Sequence, residues 1–376
     1  MLQTKERLKS FGALRALCCL SVIGLHSYVF QSLGYMGVVV FFLLSGFLLT
    51  YNYYDRNTLD DVSLALCARF SWGKIKKLYP LHLLTLLFFL AEQFYGLFTG
   101  LAKPTWEFFF PSIANILLIQ SWFPSEAIYF SLNVPAWYLS VSVFLYLMFP
   151  LILKVIKRFR SISQAIWLSV VILALQVLFS YIGCHNVKAV DALLGQEYGM
   201  KQWVLQVCPL LRLGNFAIGC NMGYIFLKIQ DMKFGTVKAT IFEILTVVAT
   251  LLSVYNRQLP DWFPKYGVTF DYSLKFMLPA VMIVIAFAFG EGPVVKLLTN
   301  RLLLYLGELS PNMYLIHYEV IAVAAFFVTR MNCSAKEQRA VYLVFIAVFT
   351  VGLSEAYRRA EKKIKANRKR RNETKA

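Results

Sequence analysis

An arginine and a histidine share one apolar stretch, "LRALCCLSVIGLHSYVF", residues 14–30. Arg15 and His26 are eleven residues apart, close to three helical turns. They therefore project from nearly the same face, about 16 Å apart along the axis. Either side chain costs a few kcal/mol inside hydrocarbon unless protein or water receives it. A fixed cation at one end of such a face can grip an anionic donor, and an imidazole further along can act as a base. The plainer alternative is that Arg15 snorkels to headgroups and His26 makes a hydrogen bond between helices.

Five further stretches carry polar groups in apolar surroundings. "CARFSWGKIKKLYPLHLL" places Arg69, Lys74, Lys76 and Lys77 just before a helix opening at Pro80. Cations at a helix N-terminus suit phosphate groups, although an ordinary membrane anchor has the same composition. In "LGELSPNMYLIHYEVI", Ser310, Tyr314 and His317 fall at i, i+4 and i+7, a polar stripe suited to lining a cavity. Arg212 lies in "PLLRLGNFAIGCNMGYIF" and needs a partner or an aqueous space. Ser45 and Gly46 interrupt an aromatic run at 35–54, which close helix packing explains as well as function does. Trp137, Ser140, Ser142 and Tyr146 punctuate an apolar helix near 134–153, where an interfacial aromatic belt accounts for Trp137.

Helices must position these groups. Hydrophobic residues make up 59% of the 376 and charged residues only 15%, against about a quarter charged in soluble domains. Apolar runs long enough to cross a roughly 30 Å core recur along the chain. The fold class expected is all-α, a polytopic transmembrane helical bundle. The first run reads as retained, since "SYVFQSLGYMG" offers no convincing cleavage site. The seven cysteines show no CxxC and no ligand spacing with histidine, so neither a disulfide framework nor a metal site is expected.

Eleven apolar runs are legible, and the fourth, "FFFPSIANILLIQSW", is short and broken by Pro111 and Asn115. Reading it as interfacial or re-entrant puts "KVIKRFR", Lys228, Lys233, Lys238, Lys296, Arg301 and the tail on the side of the N-terminus. The positive-inside rule then gives about ten spans with both termini cytoplasmic. Residues 1–357 form the membrane domain, and residues 358–376 a basic cytoplasmic tail with ten Lys or Arg. The net charge of +18 thus reflects membrane topology and anionic lipid, and nucleic acid is not an expected partner. No internal repeat of the transporter type is visible.

Taken in order, these stretches resemble acyltransferase family 3, the membrane-bound O-acyltransferases of the polysaccharide and glycolipid O-acetyltransferase type. "FGALRALCCLSVIGLHS" is similar to the family's opening segment, "GYMGVVVFFLLSGFLL" to its second helix and "KIKKLYPLHLL" to its basic-x-x-basic and Tyr-Pro segment. "AWYLSVSVFLYLMFPLIL", "FAIGCNMGYIF" and "LGELSPNMYLIH" fall where its later signatures stand. The chain departs from the pattern in carrying Lys74 and Lys77 in place of two arginines, which removes the planar bidentate fork. Ser142 stands where many relatives carry Glu, and Pro311 replaces an aromatic.

The resemblance implies transfer of an acyl group, acetyl by preference, from cytoplasmic acyl-CoA such as acetyl-CoA, without a metal. The acceptor it implies is a hydroxyl of a cell-surface carbohydrate or glycolipid at a bacterial inner membrane. His26 is then the general base or a transient acyl carrier. Arg15, with Lys74 and Lys77, binds the donor's phosphates or orients the thioester. Ser310, Tyr314 and His317 line the acceptor cavity, with Ser45 and Arg212 as further substrate-binding candidates. A secondary transporter or lipid flippase would use the same polar faces as a path, and a non-catalytic scaffold would tolerate alanine at Arg15 and His26. The oligomeric state is not legible.

Overall fold

The computed structural model describes residues 8–100, 103, 105–194, 199–233, 235–258 and 267–373, and all regular structure among them is helical. Thirteen helices carry the argument: α1 (Ser10–His26), α2 (Gln31–Tyr53), α3 (Leu64–Ile75), α4 (Tyr79–Phe98), α5 (Trp106–Ile116), α6 (Trp137–Ile156) and α7 (Ile162–Leu194) come first. They are followed by α8 (Pro209–Ile229), α9 (Thr236–Val254), α10 (Met277–Phe289), α11 (Pro293–Leu298), α12 (Arg301–Val328) and α13 (Ala335–Glu373). Among the described residues, eight helical segments are long and apolar enough to cross a membrane, and Ser10–His26 and Leu274–Phe289 are shorter apolar helices.

The fourth apolar run does not span. Its helix α5 has eleven residues, about 16 Å. It turns back where Tyr79 Oη donates to Ile116 O at 2.9 Å and His82 Nε2 meets Asn115 O at 3.0 Å. Both partners lie in the first turns of α4, so α5 re-enters the bundle from the C-terminal end of α4. The Asn115 side chain closes the turn by donating to Pro111 O and Ser131 Oγ and accepting from Gln120 Nε2. Irregular backbone inside a membrane protein needs such internal partners.

The two chain ends lie at one end of the bundle. Arg358 pairs with Glu308 near the start of α12, while at the opposite end Arg339 reaches Ser27 O just after α1. Lys74 against Tyr53, Lys157 against Asp60 and Lys228 over Tyr54 gather at the end that holds the termini, as the charge pattern predicts. The helix α13 runs unbroken from Ala335 to Glu373, through the start of the basic tail.

The centre is formed by α1, α2, α8 and α12, packed at small residues. A Cβ on Gly219 would lie 2.1 Å from Leu43 O, and one on Gly307 1.9 Å from Gly12 O. Gly46 faces Phe216 O at 2.1 Å in the same way, so its role is close approach of α2 to α8. Gly219→Val is accordingly expected to force α2 and α8 apart. Its thermal midpoint in detergent should fall by about 1–4 °C, a cost of about 1–3 kcal/mol for overpacking.

Candidate active site

The face that carries Arg15 and His26 packs against α12. Cys19, on that face, points its Sγ at Ser310 O at 3.5 Å. One end of the contact brings two imidazoles together: the His26 and His317 ring centroids are 5.2 Å apart, with Tyr318 edge-on to His26 at 5.5 Å. His317 is completely buried. Its Nδ1 lies 3.2 Å from Met313 O. A carbonyl only accepts, so Nδ1 carries the proton and Nε2 is a bare lone pair. That Nε2 is buried without a hydrogen-bond partner.

Below this pair, aromatic groups from three helices converge. Tyr314 lies 5.9 Å from His317, 5.2 Å from Tyr138 and 6.0 Å from Phe41, ring centre to ring centre. Phe41 and Ser45 on α2 and Tyr138 and Tyr146 on α6 keep partial accessibility. Tyr314 and His317 thus meet as the helical stripe predicted. Ser310 is buried beside them, but its hydroxyl donates to Gly307 O at 2.9 Å within its own helix.

Arg212 is buried at 1% exposure and its fork is occupied by protein. Nε donates to Gln206 O at 2.6 Å and Nη1 to Ser273 Oγ at 2.9 Å, while the guanidinium lies 5.4 Å from the Phe42 ring and 5.8 Å from Trp137. This geometry makes Arg212 a clamp between two connecting segments and the aromatic cluster, the partner its place in a span requires. Arg212→Met leaves both acceptors and the surrounding site unpaired. Breaking such a buried charged contact costs about 3–5 kcal/mol, so the variant is expected to lose thermal stability and yield in detergent.

At the termini's end, the buried Arg15 Nε has no hydrogen-bond partner. Lys74 Nζ takes the Tyr53 hydroxyl at 3.0 Å and lies over the Tyr53 and Phe70 rings, and Lys77 is exposed. No hydrogen bond or ring contact joins either lysine to Arg15 among the described residues. Nor do the described residues hold a group of three His, Cys, Asp or Glu side chains that could bind a metal.

The family model for an acyltransferase domain matches residues 8–357. The chain belongs to acyltransferase family 3. Among the curated relatives of this acyltransferase-family chain is acyltransferase MdmB of Streptomyces mycarofaciens, 28% identical over 303 residues, covering 77% of this chain and 69% of the relative. O-acetyltransferase OatA of Staphylococcus aureus is 25% identical over 388 aligned positions, covering 95% of this chain and 57% of the relative. A regulator of hypoxia-inducible factor 1 from Caenorhabditis elegans is 22% identical over 239 residues, covering 57% of this chain and 46% of the relative. The chain therefore spans little more than half the length of OatA. No solved structure matches it.

Sequence reasoning overlooked three features of this acyltransferase domain. Tyr138 reads as one more belt aromatic, and only the fold turns it toward Tyr314. Tyr318 reads as filler beside the His317 stripe. Behind α12, the buried Glu319 accepts from Asn133 Nδ2 at 2.9 Å, and the same amide lies 3.0 Å from Thr85 Oγ1. A carboxylate inside a span is itself a signal, and it could have pointed to this network.

Proposed function

We propose that this protein is a membrane O-acyltransferase that takes an acyl group, acetyl by preference, from acyl-CoA at the cytoplasmic end and delivers it to a hydroxyl of a carbohydrate or glycolipid near the opposite end. The observation that carries the proposal is the His26–His317 contact, two imidazoles with ring centroids 5.2 Å apart, beside a buried His317 Nε2 that has no hydrogen-bond partner. The names of MdmB and OatA, an acyltransferase and an O-acetyltransferase, support the same chemistry. Basic groups concentrated at the termini's end support a cytoplasmic setting for that end, in a bacterial inner membrane on this reading.

In this reading Arg15, whose buried Nε lacks a protein partner, receives an anionic group of the donor. Lys74 and Lys77 act as surface attraction for phosphates and not as a fork. The thioester reaches toward His26 along a helix face about 16 Å long. His26 removes the proton of the acceptor hydroxyl as its oxygen bonds to the thioester carbonyl carbon. The tetrahedral intermediate then collapses with cleavage of the C–S bond, and the imidazolium returns the proton to the departing CoA sulfur. His317 orients this base by accepting the other His26 N–H at Nε2, in the logic of a base held by a third group. Tyr314, Tyr138 and Ser45 line the space where the ester forms.

The test is purified protein in detergent with radiolabelled acetyl-CoA, following CoA release and transfer of label into a surface-glycan fraction. Label in the glycan supports the reading. A protein that neither binds acetyl-CoA nor releases CoA overturns the donor assignment and favours a transporter or flippase using the same polar faces.

A further inference from the structure

At the end of the bundle opposite the termini lies a cavity of about 340 Å³ whose lining is unlike the other large grooves. Gln31, Ser32, Asn256 and Gln258 offer amides and a hydroxyl, Asp271 a carboxylate, and Tyr35 an aromatic ring. A groove of similar size, about 330 Å³, between α1, α2 and α9 is lined mainly by Leu, Val and Ile and suits lipid. Resting on the acyl-transfer reading above, we propose that the polar cavity is the acceptor's sugar subsite, holding a glycosyl residue of the carbohydrate or glycolipid while its hydroxyl is acylated.

Three observations support this. The cavity is at the depth of the imidazole. Tight approach of α1 and α2 sets Gly34 against Leu25 and Ser21, so Gln31 and Tyr35 stand level with the end of α1. Gln31 is five residues beyond His26, at most about 18 Å even in a fully extended chain. The cavity also continues a face that leads inward. Tyr35 and Phe42, seven residues apart, share one face of α2, about 10 Å apart along the axis. The Phe42 ring lies 4.6 Å from that of Tyr138, so this face leads from the cavity toward the aromatic cluster of the candidate site.

The third observation is how the wall is held. Lys201 pairs with Asp271 at 3.6 Å, fixing the carboxylate at the rim. Tyr272 adopts a left-handed φ of 62°, sparsely populated for a bulky residue, and its ring stands edge-on to Tyr35 at 5.0 Å. Ser273, the next residue, is tied by Arg212 to the aromatic cluster. A segment held in a strained conformation by connections to the centre is built to present Asp271 and the tyrosine pair. Carboxylate and amide groups hydrogen-bond vicinal hydroxyls, and a tyrosine ring packs on the C–H face of a pyranose, a small set of placed polar groups around an apolar surface.

The experiment uses the full chain in detergent with methyl glucoside, methyl galactoside and methyl N-acetylglucosaminide, each measured by saturation-transfer NMR, beside binding of radiolabelled acetyl-CoA. At least one glycoside should receive saturation from the wild type. Its signal should fall about fivefold or more in Asp271→Ala and in Tyr35→Leu, the scale of one or two lost polar contacts. Acetyl-CoA binding should stay at the wild-type level in both. Gln31→Ala, at the exposed first residue of α2, should also lose signal and covers the case in which a wall variant misfolds. No response from any glycoside, or full signal in all three variants, overturns the subsite. Absence of acetyl-CoA binding in the wild type counts against the donor reading alone, since the glycoside signal still decides the cavity.

Discussion

His26→Ala is expected to reduce acyl transfer by at least about 10³-fold, the upper range for loss of a general base, while acetyl-CoA binding persists. The reason is geometric. His26 stands beside a second imidazole at the C-terminal end of the helix that bears Arg15 nearer its start, and in the proposed reading the donor is held at Arg15, away from it. The measurement is label transfer by wild type and variant at equal loading with acetyl-CoA. If His26 carries the acyl group covalently, a quenched single turnover of wild type will also show the protein heavier by one acetyl group. Wild-type rates in His26→Ala would remove the imidazole from the chemistry altogether.

His317→Ala is expected to lower kcat by about 10–100-fold with the KM for acetyl-CoA unchanged, the usual cost of losing a residue that orients a reactive ligand or base. Here Nδ1 lies 3.2 Å from Met313 O, and Nε2 is left without a partner beside the His26 ring. A side chain that only fills space would be replaced best by an apolar one of similar volume. A positioning acceptor would not, so His317→Gln, which keeps an acceptor oxygen, should recover part of the kcat that His317→Leu loses. The double variant with His26→Ala should be no slower than His26→Ala alone, because residues acting as one unit are not additive. Equal activity of the Gln and Leu variants would assign His317 to packing.

The second helix shows why such a site survives in hydrocarbon. Its small residues bring backbones together, and its aromatic residues fill the space between. Among the described residues, some buried polar groups along the centre are held by partners, while others, Thr50 Oγ1 and Arg15 Nε among them, are buried without one. Arg212 illustrates the first case, with two hydrogen bonds and two ring faces around one guanidinium. Arg15 illustrates the second.

The sequence by itself determined the class of the molecule. Long apolar runs with charges confined to their ends allow only spanning helices, because backbone groups in lipid must pair internally. It also determined the shared face of Arg15 and His26 and the Ser310–Tyr314–His317 stripe, since helical period alone sets which residues align. Pro111 and Asn115 marked the broken fourth run for the same local reason. Only the tertiary structure decided that His317 meets His26, that Tyr138 turns toward Tyr314 and that Ser310 turns to its own backbone. It also decided that Arg212 clamps Gln206 and Ser273 and that Tyr35 and Asp271 share an outer cavity. Those pairings join residues up to hundreds of positions apart, and no helical period encodes which helices become neighbours. That choice is made by the small residues at the crossings and by the burial of the faces they bring together.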